Sequence, residues 1–189
     1  MAIILASASP RRRQLLEQVG CVFEVIASSV VENDTQRVPP VELAISLAKA
    51  KALDVAAKLT AEDIIIGADT IVVCKGSIYG KPVNIDNARR MLSELSGQRH
   101  QVITGVAVVK GQEVYSDFAV TDVQMRCLSI TEIERYLDSG EPFGKAGAYA
   151  IQGLGALLVE NIHGCYANVV GLPLVTLNKL LFKVGVNLL

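Results

Sequence analysis

Histidine is scarce: His100 and His163 are the only two in 189 residues, and neither stands in an H-E-x-x-H pattern. A histidine-rich metal centre is thereby disfavoured, and both rings are read as structural. No G-x-S-x-G elbow occurs, and no G-x-x-x-x-G-K-[ST] phosphate loop, because Gly80-Lys81 is followed by Pro82. Gly153-Leu154-Gly155 lacks the strand, third glycine and helix of a dinucleotide fingerprint. Cys21, Cys74, Cys127 and Cys165 stand far apart with no C-x-x-C pair, so buried reduced thiols are expected rather than a disulfide framework. No apolar run approaches the roughly 18 residues that span a bilayer. Met1 to Leu5 is too short and too uncharged for a signal segment, so a cytoplasmic setting away from membranes is expected. The formal net charge of −1 excludes a global basic field, so nucleic acid is not an expected partner. Any anion must be met by a local cluster. No internal repeat, linker or low-complexity stretch interrupts the chain.

What is present is ordinary for a compact α/β protein: 51% hydrophobic and 20% charged residues, enough for one domain over residues 1–189 with a proper core. The exception is Ile64-Ile65-Ile66-Gly67-Ala68-Asp69-Thr70-Ile71-Val72-Val73. Its β-branched residues predict a buried strand, yet Asp69 stands at its centre. A carboxylate in such company loses several kcal/mol by desolvation unless a cation, metal or donor meets it. Either Asp69 opens onto a site, or Gly67 to Thr70 is a solvated turn between two strands.

Ile3 to Leu5 predicts a short strand, and Ser9-Pro10 a helix start with Ser9 at N-cap, closed by Gly20. Arg11, Arg12 and Arg13 stand in the first turn, where the helix dipole prefers negative charge. An anion between them would make sense of this; a solvated basic turn is the plainer alternative. Phe23 to Ala27 predicts a strand, Glu32-Asn33-Asp34 an acidic loop, and Pro39-Pro40 the start of a helix running to about Leu59. Lys49 and Lys51, about 200° apart on that helix, cannot both face one site. Asn84 caps a helix ending before Gly97, His100–Val109 and Glu113–Met125 alternate like paired strands, and Ser129-Ile130-Thr131-Glu132 is a capping box. The glycine-rich stretch from Glu141 to Gly155 predicts backbone lying close to a ligand or to another segment. Leu157 to Ile162 predicts a strand and Pro173 the start of a last helix.

With histidine and thiolate set aside, the chemistry left is carboxylates, Asp69 and Glu32, and cations, Arg11, Arg12, Lys51 and Lys81. That set suits phosphate chemistry assisted by a hard divalent metal.

At these residues the chain resembles the Maf family of nucleoside triphosphate pyrophosphatases. The matching segments are Leu5 to Arg12, Gly67-Ala68-Asp69-Thr70, Gly80-Lys81-Pro82, Ser96 to His100, Glu141-Pro142 with Lys145 to Tyr149, Ile151-Gln152-Gly153, and Val170 to Leu174. The resemblance implies a mixed α/β fold, an elongated twisted sheet flanked by helices with two lobes around a central cleft, similar to inosine triphosphate pyrophosphatases, and commonly a homodimer. It implies hydrolysis of a nucleoside triphosphate to monophosphate and pyrophosphate with Mg²⁺ or Mn²⁺. Asp69 matches the proposed general base or a metal ligand, Glu32 an acidic position near the metal, and Ser7, Arg12, Lys51 and Lys81 the phosphate-holding positions. Arg11, Thr70 and Gln152 match the branch that prefers dTTP and UTP; the branch preferring 7-methyl-GTP has tryptophan, glutamine and glutamate there. The chemistry agrees, since the Gln152 amide can accept from the N3–H of uracil or thymine and donate to O4, whereas a glutamate only accepts. The alternatives are 7-methyl-GTP hydrolysis and a non-enzymatic nucleotide-binding regulator of septum formation.

Overall fold

In the computed structural model the described residues are 1–31 and 38–189. Contacts divide the chain into two compact units: residues 1–70, 104–119 and 171–189 form the first, and residues 71–103 and 120–170 the second. Among the described residues a seven-stranded mixed sheet runs β2-β1-β3-β5-β6-β7, with β4 paired to β3. The strands are β1 Ile3–Leu5, β2 Glu24–Val25, β3 Ile64–Cys74, β4 Ser77–Tyr79, β5 Arg99–Lys110, β6 Glu113–Met125 and β7 Val159–His163. The helices are α1 Pro10–Gln18, α2 Pro40–Ala56, α3 Ile85–Leu95, α4 Ile130–Asp138, α5 Tyr166–Val170 and α6 Leu174–Lys183. The unit boundaries fall within β3, β5 and β6.

In the first unit β1 lies parallel to both β2 and β3, with Ile3, Ile4 and Leu5 opposite Ile64, Ile65 and Ile66. Parallel strands covered by helices read as unbroken apolar runs, which is what both segments are. Helix α2 presents Ala44, Ala48 and Ala52, one per turn, and all are fully buried. Across from them stand glycines: a Cβ on Gly67 would lie 2.2 Å from the Ala48 carbonyl oxygen, and one on Gly105 2.3 Å from that of Ala44. Helix and sheet therefore approach at backbone distance. Gly67→Ala is expected to destabilise the protein by about 2–3 kcal/mol, the upper range of overpacking, because the obstacle is backbone that cannot rotate away. Urea denaturation checks this; an unchanged midpoint would show that α2 can slide.

The second unit packs α3 and α4 over Val72, Cys74, Val102, Val123 and Met125. Asn84 caps α3 through the Asn87 N–H, and Ser129 and Glu132 close both bonds of the capping box on α4. Arg89 of α3 forks onto Glu134 of α4, Nε to Oε1 at 2.6 Å and Nη2 to Oε2 at 3.0 Å. His100 is buried with its Nε2 2.6 Å from the Tyr149 hydroxyl. Burial holds its pKa down to about 4, outweighing the pull of the Gln98 backbone the other way. The unfolded chain takes up this proton near pH 6.5 and the folded one only near 4, so the stabilisation is complete above 6.5 and is lost as pH falls between the two values. About 3 kcal/mol follows from that gap. His100→Gln, which cannot titrate, is expected to flatten the fall in denaturation midpoint between pH 7 and pH 4.5.

Several local expectations are corrected. Ser9 occupies the N-cap of α1, but its side chain makes no cap bond. The second strand shrinks to Glu24–Val25, α2 ends at Ala56, and Leu157 belongs to a 3-10 turn, with β7 beginning at Val159. All four cysteines are free thiols, but only Cys74 is buried and Cys127 is exposed. Charge and apolar patterning give each segment's type; where it stops depends on what it packs against. No helix among the described residues is long and apolar enough to cross a membrane.

Candidate active site

Asp69 is 4% exposed and sits inside an unbroken strand, so the solvated-turn reading of Gly67 to Thr70 is overturned. Its charge is met by Lys51 of α2, whose Nζ lies 2.5 Å from Oδ1. Lys51 follows Ala48 by three residues, which places it on the α2 face turned to β3. It is itself only 7% exposed. Taking two charges out of water costs several kcal/mol per ion, so a buried pair of this kind is weak evidence for stability and points instead to use.

The next residue along β3 faces the other way, as alternation in a strand requires. Thr70 Oγ1 accepts from Arg12 Nη2 at 3.1 Å and lies 3.0 Å from Thr104 Oγ1 on β5. Arg12 also donates from Nη1 to Ser7 Oγ at 3.1 Å and from Nε to the Gly171 carbonyl at 2.8 Å. One guanidinium thus ties α1, the turn after β1, β3 and the entry to α6. The three arginines of α1 part company here: Arg12 is buried, Arg11 is half-buried, and Arg13 pairs on the surface with Glu17 at 2.7 Å.

Of the residues singled out from sequence, the first unit brings Ser7, Arg12 and Thr70 into one network and Lys51 and Asp69 into one ion pair, with Arg11 on α1. Lys81 and Gln152 belong to the second unit. Lys81 is exposed between Gly80 and Pro82, and Gln152 is half-buried at the N-cap of a 3-10 turn, Gly153–Leu157, without capping it through its side chain. Glu32 lies outside the described residues. Among the described residues no group of three or more His, Cys, Asp or Glu could hold a metal. Asp69 would offer a hard oxygen donor to an ion such as Mg²⁺, which takes one or two carboxylates and completes its shell with phosphate oxygens and water. Thr104 escaped the sequence reading, although the signal was there. It is a hydroxyl inside the apolar run from Val102 to Val109, the same kind of interruption that marks Asp69. No local signal marks Gly171, which enters through its backbone.

Comparison with known proteins gives three findings. The family described as Maf-like protein matches residues 2–184. Two curated relatives are each described as a dTTP/UTP pyrophosphatase. That of Caldicellulosiruptor saccharolyticus is 47% identical over 99% of this chain and 96% of its own, and that of Gloeobacter violaceus is 50% identical over 95% and 94%. A solved structure of a nucleoside-triphosphatase, or dITP/XTP pyrophosphatase, from Mycobacterium abscessus aligns at 15% identity and a TM-score of 0.40, over 66% of this chain and 73% of that one.

Proposed function

Because this chain belongs to the Maf family, we propose that it hydrolyses dTTP and UTP to the nucleoside monophosphate and pyrophosphate. The observation that carries the reading is the Lys51–Asp69 pair, a carboxylate and an ammonium withdrawn from water in an otherwise apolar strand. Phosphoryl transfer asks a protein for positioning and for charge stabilisation rather than covalent chemistry. Asp69 orients a water at the α-phosphorus and takes up its proton. The new bond is from water oxygen to the α-phosphorus; the bond that breaks runs to the bridging oxygen, and pyrophosphate leaves with that oxygen. Lys51 meets the phosphate charge beside Asp69, with Ser7 and Arg12 as further phosphate donors, and the family resemblance gives Lys81 a phosphate-holding role as well. A divalent cation held by Asp69, with Glu32 as a second carboxylate, would neutralise phosphate charge. Arg11, Thr70 and Gln152 select the base, Gln152 by pairing with the N3–H and O4 edge of uracil or thymine. A homodimer, read from the family resemblance, belongs to the same proposal.

The test is a panel of nucleoside triphosphates assayed for pyrophosphate with Mg²⁺ and again with EDTA. The expected result is equal release of monophosphate and pyrophosphate from dTTP and UTP, little from purine triphosphates, and loss of both with EDTA. Release of orthophosphate, or a purine preference, would refute the reading. Sedimentation of the same preparation tests the homodimer.

A further inference from the structure

If Gln152 reads the base, something must hold its amide in place, and the second unit contains a device built around it. The backbone after Gln152 is tied to one carboxylate, and the backbone before it to a tyrosine hydroxyl that donates to the same carboxylate. Glu141 Oε1 accepts from the Gly155 N–H at 2.9 Å and from the Tyr136 hydroxyl at 3.0 Å, while Oε2 accepts from the Leu154 N–H at 3.0 Å. Tyr136, 4% exposed, in turn accepts at its hydroxyl from the Ala150 N–H at 3.3 Å. Residues 150, 154 and 155 are therefore anchored, and Gln152 sits in the span between them.

The glycines of this span fit the anchor. Gly153 has φ +65°, and a Cβ there would lie 2.5 Å from Glu141 Oε2; a Cβ on Gly155 would lie 2.1 Å from the Ala150 carbonyl oxygen. A side chain at 153 would displace the carboxylate, and one at 155 would collide with the Ala150 carbonyl and the Tyr136 hydroxyl. Burial acts to raise the Glu141 pKa, but the N–H groups of Gly155 and Leu154, the Tyr136 hydroxyl and the charge of Lys145 outweigh it, so the group is held below the usual range and stays ionised. Lys145 also donates from its ammonium to the Glu141 carbonyl.

We propose that Glu141, braced by Tyr136, is the positioning residue that sets the Gln152 amide for base reading. This rests on the base-reading role given to Gln152 above. Glutamine at 141 is the informative replacement. It keeps the size, but its one oxygen cannot serve both sides of the fork, and its NH₂ would face the Leu154 N–H donor to donor.

The experiment is steady-state kinetics of the Mg²⁺-loaded protein with dTTP and dCTP, whose base edges differ in hydrogen-bond polarity at N3 and position 4. The variants are Gln152→Ala, Glu141→Gln, Tyr136→Phe, and Glu141→Gln combined with Gln152→Ala. Gln152→Ala is expected to lower the dTTP/dCTP ratio of kcat/KM by about tenfold. Glu141→Gln and Tyr136→Phe are expected to lower it by about three- to tenfold, the scale of one hydrogen bond, through KM with kcat nearly unchanged. In the Gln152→Ala background, Glu141→Gln is expected to have no further effect on the ratio. If Gln152→Ala leaves the ratio unchanged, the base-reading role itself is wrong. If Gln152→Ala lowers it while the folded Glu141 and Tyr136 variants do not, or if these weaken both substrates equally, positioning by Glu141 is wrong. Tyr136→Phe carries the decision should Glu141→Gln fail to fold.

Discussion

Asp69→Asn is expected to lower turnover of dTTP by about 10²- to 10⁴-fold, the span general base catalysis contributes. Asparagine keeps the shape and can still accept from Lys51, but it cannot take a proton from water. Stability is expected to fall as well, by about 1–3 kcal/mol, because a buried ammonium then faces a neutral amide at the position 2.5 Å away. The two effects can be separated. Adding Lys51→Met removes the charge left without its counterion, so the double variant is expected to regain stability and remain inactive. Pyrophosphate release and a thermal melt on the three proteins give both answers. Turnover within threefold of the parent in Asp69→Asn would remove Asp69 from the chemistry and leave the ion pair as architecture.

Arg12→Lys should cost about 2–4 kcal/mol, or roughly 5–15 °C in melting temperature for a chain of this size. The charge is kept; the fork is lost. Arg12 reaches three acceptors, on Ser7, Thr70 and Gly171, from three different nitrogens 2.8–3.1 Å away. A single ammonium on a flexible stem cannot meet that arrangement, and the buried Gly171 carbonyl has no hydroxyl's freedom to turn elsewhere. Activity is expected to fall with stability, since the Ser7 and Thr70 hydroxyls lose the group that orients them. A lysine variant that melts with the parent would show that only the charge at this position matters. Arg13→Lys is the control: Arg13 and Glu17 are both well exposed, and such a pair contributes under about 1 kcal/mol.

These two residues also show how far sequence reasoning reaches. Asp69 was legible because a carboxylate inside a β-branched run violates a local rule, and such violations gather where a protein does something. Thr104 carries the same mark in its own strand. Arg12 was legible as a cation but not as a hub, since Gly171 is 159 residues away and contributes only a carbonyl. Glu141 looked like one acid in a glycine-rich stretch. Its importance comes from two N–H groups that converge on it only once residues 150–155 are folded.

By itself the sequence determined the type of nearly every element, through the period of its apolar residues and the chemistry of its caps. It also pointed to phosphate chemistry, through the carboxylates and cations that remain once histidine and thiolate are set aside. The tertiary structure decided which of three neighbouring arginines is buried, which lysine of α2 meets Asp69, and where each strand ends. The reason is that period and capping act within a few residues along the chain. Partnership across 18 residues, Lys51 with Asp69, depends on how closely α2 can approach the sheet, a distance set by alanines facing glycines. Partnership across 58 or 159 residues depends on where the folded chain brings Thr70 and Gly171 against Arg12.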